Sequence, residues 1–97
     1  MRQEILSVAV FEPAEGKDKD VLETVRELAR VLSEKGFSRD LLYCEKATKR
    51  YILVRYWKSA AARREAQEDP GALRCWARLA DQITIIRVYE ALEEVPL

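Results

Sequence analysis

Tyr51-Ile52-Leu53-Val54-Arg55-Tyr56-Trp57 is a run of β-branched, aliphatic and aromatic residues without glycine or proline, and it reads as a β-strand. Side chains alternate along a strand, so a sheet with one wet face shows apolar and polar positions in turn. Here Ile52, Val54 and Tyr56 oppose Tyr51, Leu53, Arg55 and Trp57, and both faces are largely apolar. The same holds near the N-terminus, where Leu6, Val8 and Val10 oppose Ile5, Ala9 and Phe11, with Ser7 the polar exception. Toward the C-terminus Ile86 and Val88 oppose Ile85, Arg87 and Tyr89.

Working outward, residues 4–11 form a first strand, closed by a loop containing Pro13 and Gly16. Over residues 18–35 the spacing becomes helical through Val21, Val25, Leu28, Ala29 and Leu32, with Asp18 or Asp20 as N-cap and Gly36 just past the C-terminus. Residues 37–45 and 50–57 are strands joined by the polar connection 46–49. Ser59 caps an alanine-rich helix that stops near Asp69, because proline disfavours helical backbone before it. Asp69-Pro70 starts another helix, with Leu73, Trp76, Ala77 and Ala80 predicted on one stripe. Residues 83–92 form the last strand. The order βαββαβ predicts an α+β ferredoxin-like sandwich with a four-stranded antiparallel sheet, and 97 residues suit one domain over 1–97.

Helices on one side leave a second apolar sheet face of several hundred Å² that monomers rarely expose. The expected cover is the same face of a second copy, giving a homodimer through the sheet in the manner of a dimeric α+β barrel. Hiding ~500 Å² per partner would contribute ~25 kcal/mol gross, against association costs of up to ~15 kcal/mol.

Composition narrows the chemistry. Lys+Arg and Asp+Glu number 17 each, so no net field draws nucleic acid or an anionic membrane, and no apolar run reaches the length of a bilayer span. Acidic residues among the strand aromatics argue further against a base-stacking surface, and Glu12 and Glu15 read as loop residues, not paired glycosidase acids. Met1-Arg2-Gln3-Glu4 lacks a secretory layout, so a cytoplasmic location is expected. With no histidine, Ser-His-Asp and Cys-His catalysis, the HExxH metal site and a proximal haem histidine are excluded; no metal or other cofactor is expected. Cys44 and Cys75 have no CxxC spacing and read as reduced, half-buried thiols, Cys75 reactive only if Arg74 or Arg78 lowers its pKa. No asparagine, one methionine and abundant charge suggest a heat-adapted source, an expectation that a melting temperature tests.

Several segments together resemble the antibiotic biosynthesis monooxygenase (ABM) family of the dimeric α+β barrel group. They are Phe11-Glu12-Pro13 with Gly16, the Gly36-Phe37 turn, the strand ending in Trp57-Lys58-Ser59, then Asp69-Pro70 and the closing Val88-Tyr89-Glu90. The resemblance implies a homodimer, a pocket between helices and sheet in each subunit and, in some relatives, cofactor-free oxygenation of quinols or polyphenols. The family's haem-degrading branch carries Asn, Trp and His where register counting places Ala9, Ala66 and Trp76, so that activity is not expected.

A cofactor-free oxygenase deprotonates an electron-rich substrate and holds its anion while oxygen attacks, which calls for a hydrogen-bond donor, a positive charge and an aromatic wall. Arg55, Arg87 and Tyr89 are the catalytic candidates, and Phe11, Tyr43, Tyr51, Trp57 and Trp76 the ligand-pocket candidates, for a small aromatic ligand. Most share one strand parity and are expected on one surface. The structural alternative pairs Arg55 and Arg87 with Glu45 or Glu90 and leaves the aromatics, Trp76 included, as core. Burial cost favours the face with Leu6, Val8, Val10, Ile52, Val54 and Ile86 under the helices. Family register favours the reverse, with the arginines in the pocket. Two functions follow, a monooxygenase or isomerase acting without metal or flavin on an aromatic or quinol-like molecule, or a non-catalytic dimer that binds a small ligand or a partner.

Overall fold

The computed structural model describes residues 5–97, in the order β1 (Ile5–Pro13), α1 (Asp18–Glu34), β2 (Ser38–Cys44), β3 (Tyr51–Trp57), α2 (Ala60–Ala66), α3 (Pro70–Gln82) and β4 (Ile83–Leu92). The expected first strand began at residue 4, which lies outside the described residues. The four strands form one antiparallel sheet in the order β2-β3-β1-β4, the ferredoxin-like α+β arrangement. Among the described residues no helix is long and apolar enough to cross a membrane.

Local chemistry sets the element ends. At the α1 C-terminus Gly36 takes φ 72°, its N–H reaches the Ser33 carbonyl at 3.0 Å, and the Phe37 N–H reaches that of Leu32 at 2.8 Å. This pair of bonds is a Schellman stop, which needs a residue free of Cβ strain at positive φ. At the other end the N-cap is Lys17, with no side-chain bond; Asp18 and Asp20, expected as caps, sit in the first turn, where carboxylates oppose the helix dipole. Ser59 accepts from the Ala62 N–H at 3.0 Å and Asp69 from the Ala72 N–H at 2.9 Å, so the α2 and α3 caps fall where the sequence placed them.

All three helices lie on one face of the sheet. The core joins Val21, Val25, Leu28 and Leu32 of α1 and Ala72, Cys75 and Leu79 of α3 to Phe11, Leu53 and Trp57 of the sheet. The buried stripe of α3 is turned by about one residue from expectation. Leu73 is 47% exposed, and Ala77 and Ala80 face solvent, while Trp76 lies at the edge of the stripe and not at its centre. The thiols are not both half-buried either: Cys44 is exposed and Cys75 buried.

Asp69 also pairs with Lys35, joining the end of α1 to the start of α3. The Lys35 ammonium, and then the Ala72 N–H, hold this carboxyl below its ordinary value. A lowered folded pKa stabilises above the unfolded value of about 3.9, and the benefit disappears as pH falls through the folded pKa. Asp69→Ala is therefore expected to lower Tm by several degrees at neutral pH and by progressively less near pH ~3, measured by thermal melts across pH.

Candidate functional site

Under the helices the sheet presents Ile5, Ser7, Ala9 and Phe11 of β1, Leu42 of β2 and Leu53, Arg55 and Trp57 of β3. The purer apolar face, with Leu6, Val8, Val10, Ile52 and Val54, points outward, opposite to the burial-cost expectation. That expectation counted the cost of burying Arg55 alone. The inner face supplies the missing partner, Asp40, which stands opposite Arg55 across the β2–β3 ladder. Arg55 Nε donates to Asp40 Oδ1 and Oδ2 at 2.9 and 3.1 Å, and Nη2 donates to Oδ2 at 2.8 Å. Their side chains are only 9% and 2% exposed. A fork-to-carboxylate geometry makes a buried charge tolerable. Ser38 Oγ adds a 3.2 Å bond to Asp40 Oδ1.

Between this face and the helices lies a cavity of about 460 Å³. Phe11, Leu53 and Trp57 wall it on the sheet side, Val25 and Leu28 on α1, and Trp76 and Leu79 on α3. Its open side lies over β4, where Ile85 and Val88 remain 59% and 46% exposed although they line the cavity. The Arg55 guanidinium carbon sits 5.4 Å from the Trp57 ring centroid and 5.9 Å from that of Trp76, within cation–π range of both indoles. Nη1 has no acceptor among the described residues. Trp57 Nε1 donates to Ser7 Oγ at 2.9 Å, and Ser7 Oγ donates to the Glu90 carbonyl at 2.6 Å, so those polar groups are already satisfied. At the rim Arg63 approaches the Glu90 carboxylate at 3.7 Å. Asp40 forms part of a second cavity of about 330 Å³, against Leu22, Arg26 and Leu42.

The candidate residues therefore divide. Phe11, Arg55, Trp57 and Trp76 meet at the cavity. Tyr51 stacks on Phe11 with ring centroids 5.8 Å apart and is packed against the core. Tyr43, Arg87 and Tyr89 lie on the outer face, paired across the ladders with Ile52, Val10 and Val8. The single surface expected for Arg55 and Arg87 fails because the β1–β4 register shifts between Val10 and Phe11: Ile85 faces Phe11, Arg87 faces Val10, and Ile86 is the extra residue. One inserted residue reverses strand parity beyond it. Nor do the expected ion pairs to Glu45 or Glu90 form. Arg55 holds Asp40, and Arg87 lies over the Tyr89 ring at 5.1 Å.

Burial, followed by the charge of Glu27, pushes the Cys75 thiol up, which is the wrong direction for a nucleophile. Among the described residues no cluster of three or more His, Cys, Asp or Glu is placed to hold a metal ion. Arg63, Gln67 and Glu90 on the cavity wall, and Asp40 paired with Arg55, are groups that the sequence reading did not assign to a site. Counting back in step from Cys44 opposite Tyr51 brings Asp40 opposite Arg55, so that partner was within reach of hairpin register alone.

Solved structures share this architecture. SnoaB of Streptomyces nogalater, a cofactor-independent oxygenase, is 22% identical with a TM-score of 0.77, over 98% of this chain and 99% of that one. Rv0793 of Mycobacterium tuberculosis is 15% identical with a TM-score of 0.75, over 96% and 99%. SO0527 of Shewanella oneidensis is 18% identical with a TM-score of 0.73, over 92% and 91%. At these identities the likeness speaks for the fold. No curated protein matches the chain significantly. The family profile described as antibiotic biosynthesis monooxygenase matches residues 5–78, covering β1 through most of α3, and the chain belongs to that family.

Proposed function

We propose that the chain is a cofactor-free monooxygenase acting on an aromatic or quinol-like small molecule held in the cavity, and that it works as a homodimer closed through the outer sheet face. The observation carrying the catalytic part is a guanidinium fixed by Asp40 between two indoles, with no acceptor for Nη1 among the described residues, on the wall of an apolar cavity of about 460 Å³. A flat ring fits against Trp57 and Trp76, and Arg55 donates to a ring oxygen as negative charge develops there. The substrate anion supplies the electrons to dioxygen. One oxygen atom stays on carbon, the other leaves as water, and the substrate loses two hydrogens. Supporting the dimer, the outer face carries Leu41, Tyr43, Ile86 and Tyr89 at 38–56% exposure.

Oxygen uptake on a panel of quinols tests this reading. Arg55→Ala, assayed where circular dichroism shows it folded, is expected to lose activity by ~10²-fold, the scale of one removed oxyanion donor. Arg87→Ala, on the other face, is expected to keep its turnover within a monodisperse dimer. Background-level uptake across the panel, or full activity in Arg55→Ala, would overturn it. A second reading, a binding protein without turnover, is favoured by one observation: Asp40 already neutralises Arg55, and the chain has no histidine to take the substrate proton. Binding in the cavity without oxygen uptake would support that reading instead.

A further inference from the structure

We infer that the cavity takes uncharged flat aromatics bearing a carbonyl or phenol oxygen and turns away carboxylates, with Asp40 as the residue that sets this selectivity. The inference rests on the cavity being the substrate site. Among the described residues both cations on its wall already have a carboxylate partner, Arg55 in the buried fork to Asp40 and Arg63 with Glu90 at the rim. Apart from these groups the wall is built mainly of Phe, Trp, Leu, Ile and Val side chains. A ligand carboxylate entering it gives up hydration and meets no uncompensated positive charge, so its desolvation is not recovered. A neutral carbonyl or phenol loses far less and still receives a bond from Nη1. Charge then appears on the ligand only when it is deprotonated inside, beside Arg55, spread over a ring system flanked by indoles. The site is thus matched to an anion formed in place and not to one delivered from solution.

Two nearly isosteric probes isolate the charge: naphthalene-1-carboxamide and naphthalene-1-carboxylate, titrated calorimetrically into the purified protein at neutral pH. The amide is expected to bind at least ~10-fold more tightly. Asp40→Asn keeps a hydrogen-bond acceptor for Arg55 but frees its charge, and is expected to raise carboxylate affinity by ~10-fold with little change for the amide. Should that variant not fold, Glu90→Gln, on a side chain 78% exposed, is expected to shift carboxylate affinity the same way but less. Carboxylate binding equal to or tighter than amide binding in the unmodified protein would overturn the inference and leave the oxygenase reading standing. Binding of neither probe would overturn the cavity as a ligand site and this inference with it.

Discussion

Arg55→Ala alone is expected to lower the stability of the fold by about 3–5 kcal/mol, whereas Arg55→Met combined with Asp40→Leu is expected to recover most of that loss. The asymmetry follows from burial. Removing the guanidinium leaves the Asp40 carboxylate, 2% exposed, with only the Ser38 hydroxyl for a partner among the described residues. Replacing both partners by apolar side chains of similar volume removes the desolvation cost along with the attraction, and Met lies well against the faces of Trp57 and Trp76. Urea unfolding of the two single variants and the double variant, at one protein concentration, gives the coupling between the sites. A single-variant loss below about 1 kcal/mol would mean that the pair is solvated and that Arg55 is not held rigidly at the cavity. The cycle also separates structure from chemistry, because a double variant that folds well but consumes no oxygen assigns the guanidinium a role beyond stability.

Val54→Lys is expected to turn the proposed dimer into single chains. Val54 stands in the middle of the outer face, opposite Val8 on one side and Leu41 on the other. A lysine there would bring two ammonium groups near the two-fold axis of a face-to-face pair, beside the apolar side chains of Val8 and Leu41. Sedimentation velocity at micromolar concentration is expected to give twice the 11.2 kDa chain mass for the unmodified protein and 11.2 kDa for the variant. If the unmodified chain sediments singly and remains monodisperse, the proposed dimer is wrong, and the outer face needs another cover. The inner cavity would be untouched by that result, since all the walls described belong to one chain.

How much was legible differs from element to element, for physical reasons. Ser59, Asp69-Pro70 and Gly36-Phe37 act within a few residues of themselves, through a cap oxygen, a missing N–H and a permitted positive φ, so they could be placed by reading along the chain. Lys17 could not, because it caps by backbone conformation with no side-chain signal. Trp76 misled the reading of α3. A large side chain looks like the centre of a buried stripe, but here it borders a cavity, and the small Ala72 and Cys75 take the buried line beside Leu79. On the sheet, Asp40 was readable from hairpin register, while Arg87 was not, because its face depends on a shift in the pairing of β1 with β4, two strands far apart in sequence.

By itself the sequence determined the order of strands and helices, the surplus of apolar sheet surface and the absence of histidine chemistry, because periodicity, caps and composition are local properties of the chain. Only the tertiary structure decided which sheet face the helices cover and which charged groups share the cavity. The helices' choice of face sets Arg55 against Asp40 on the inner side, and the long-range pairing of β1 with β4, with one extra residue at Ile86, sends Arg87 to the outer one.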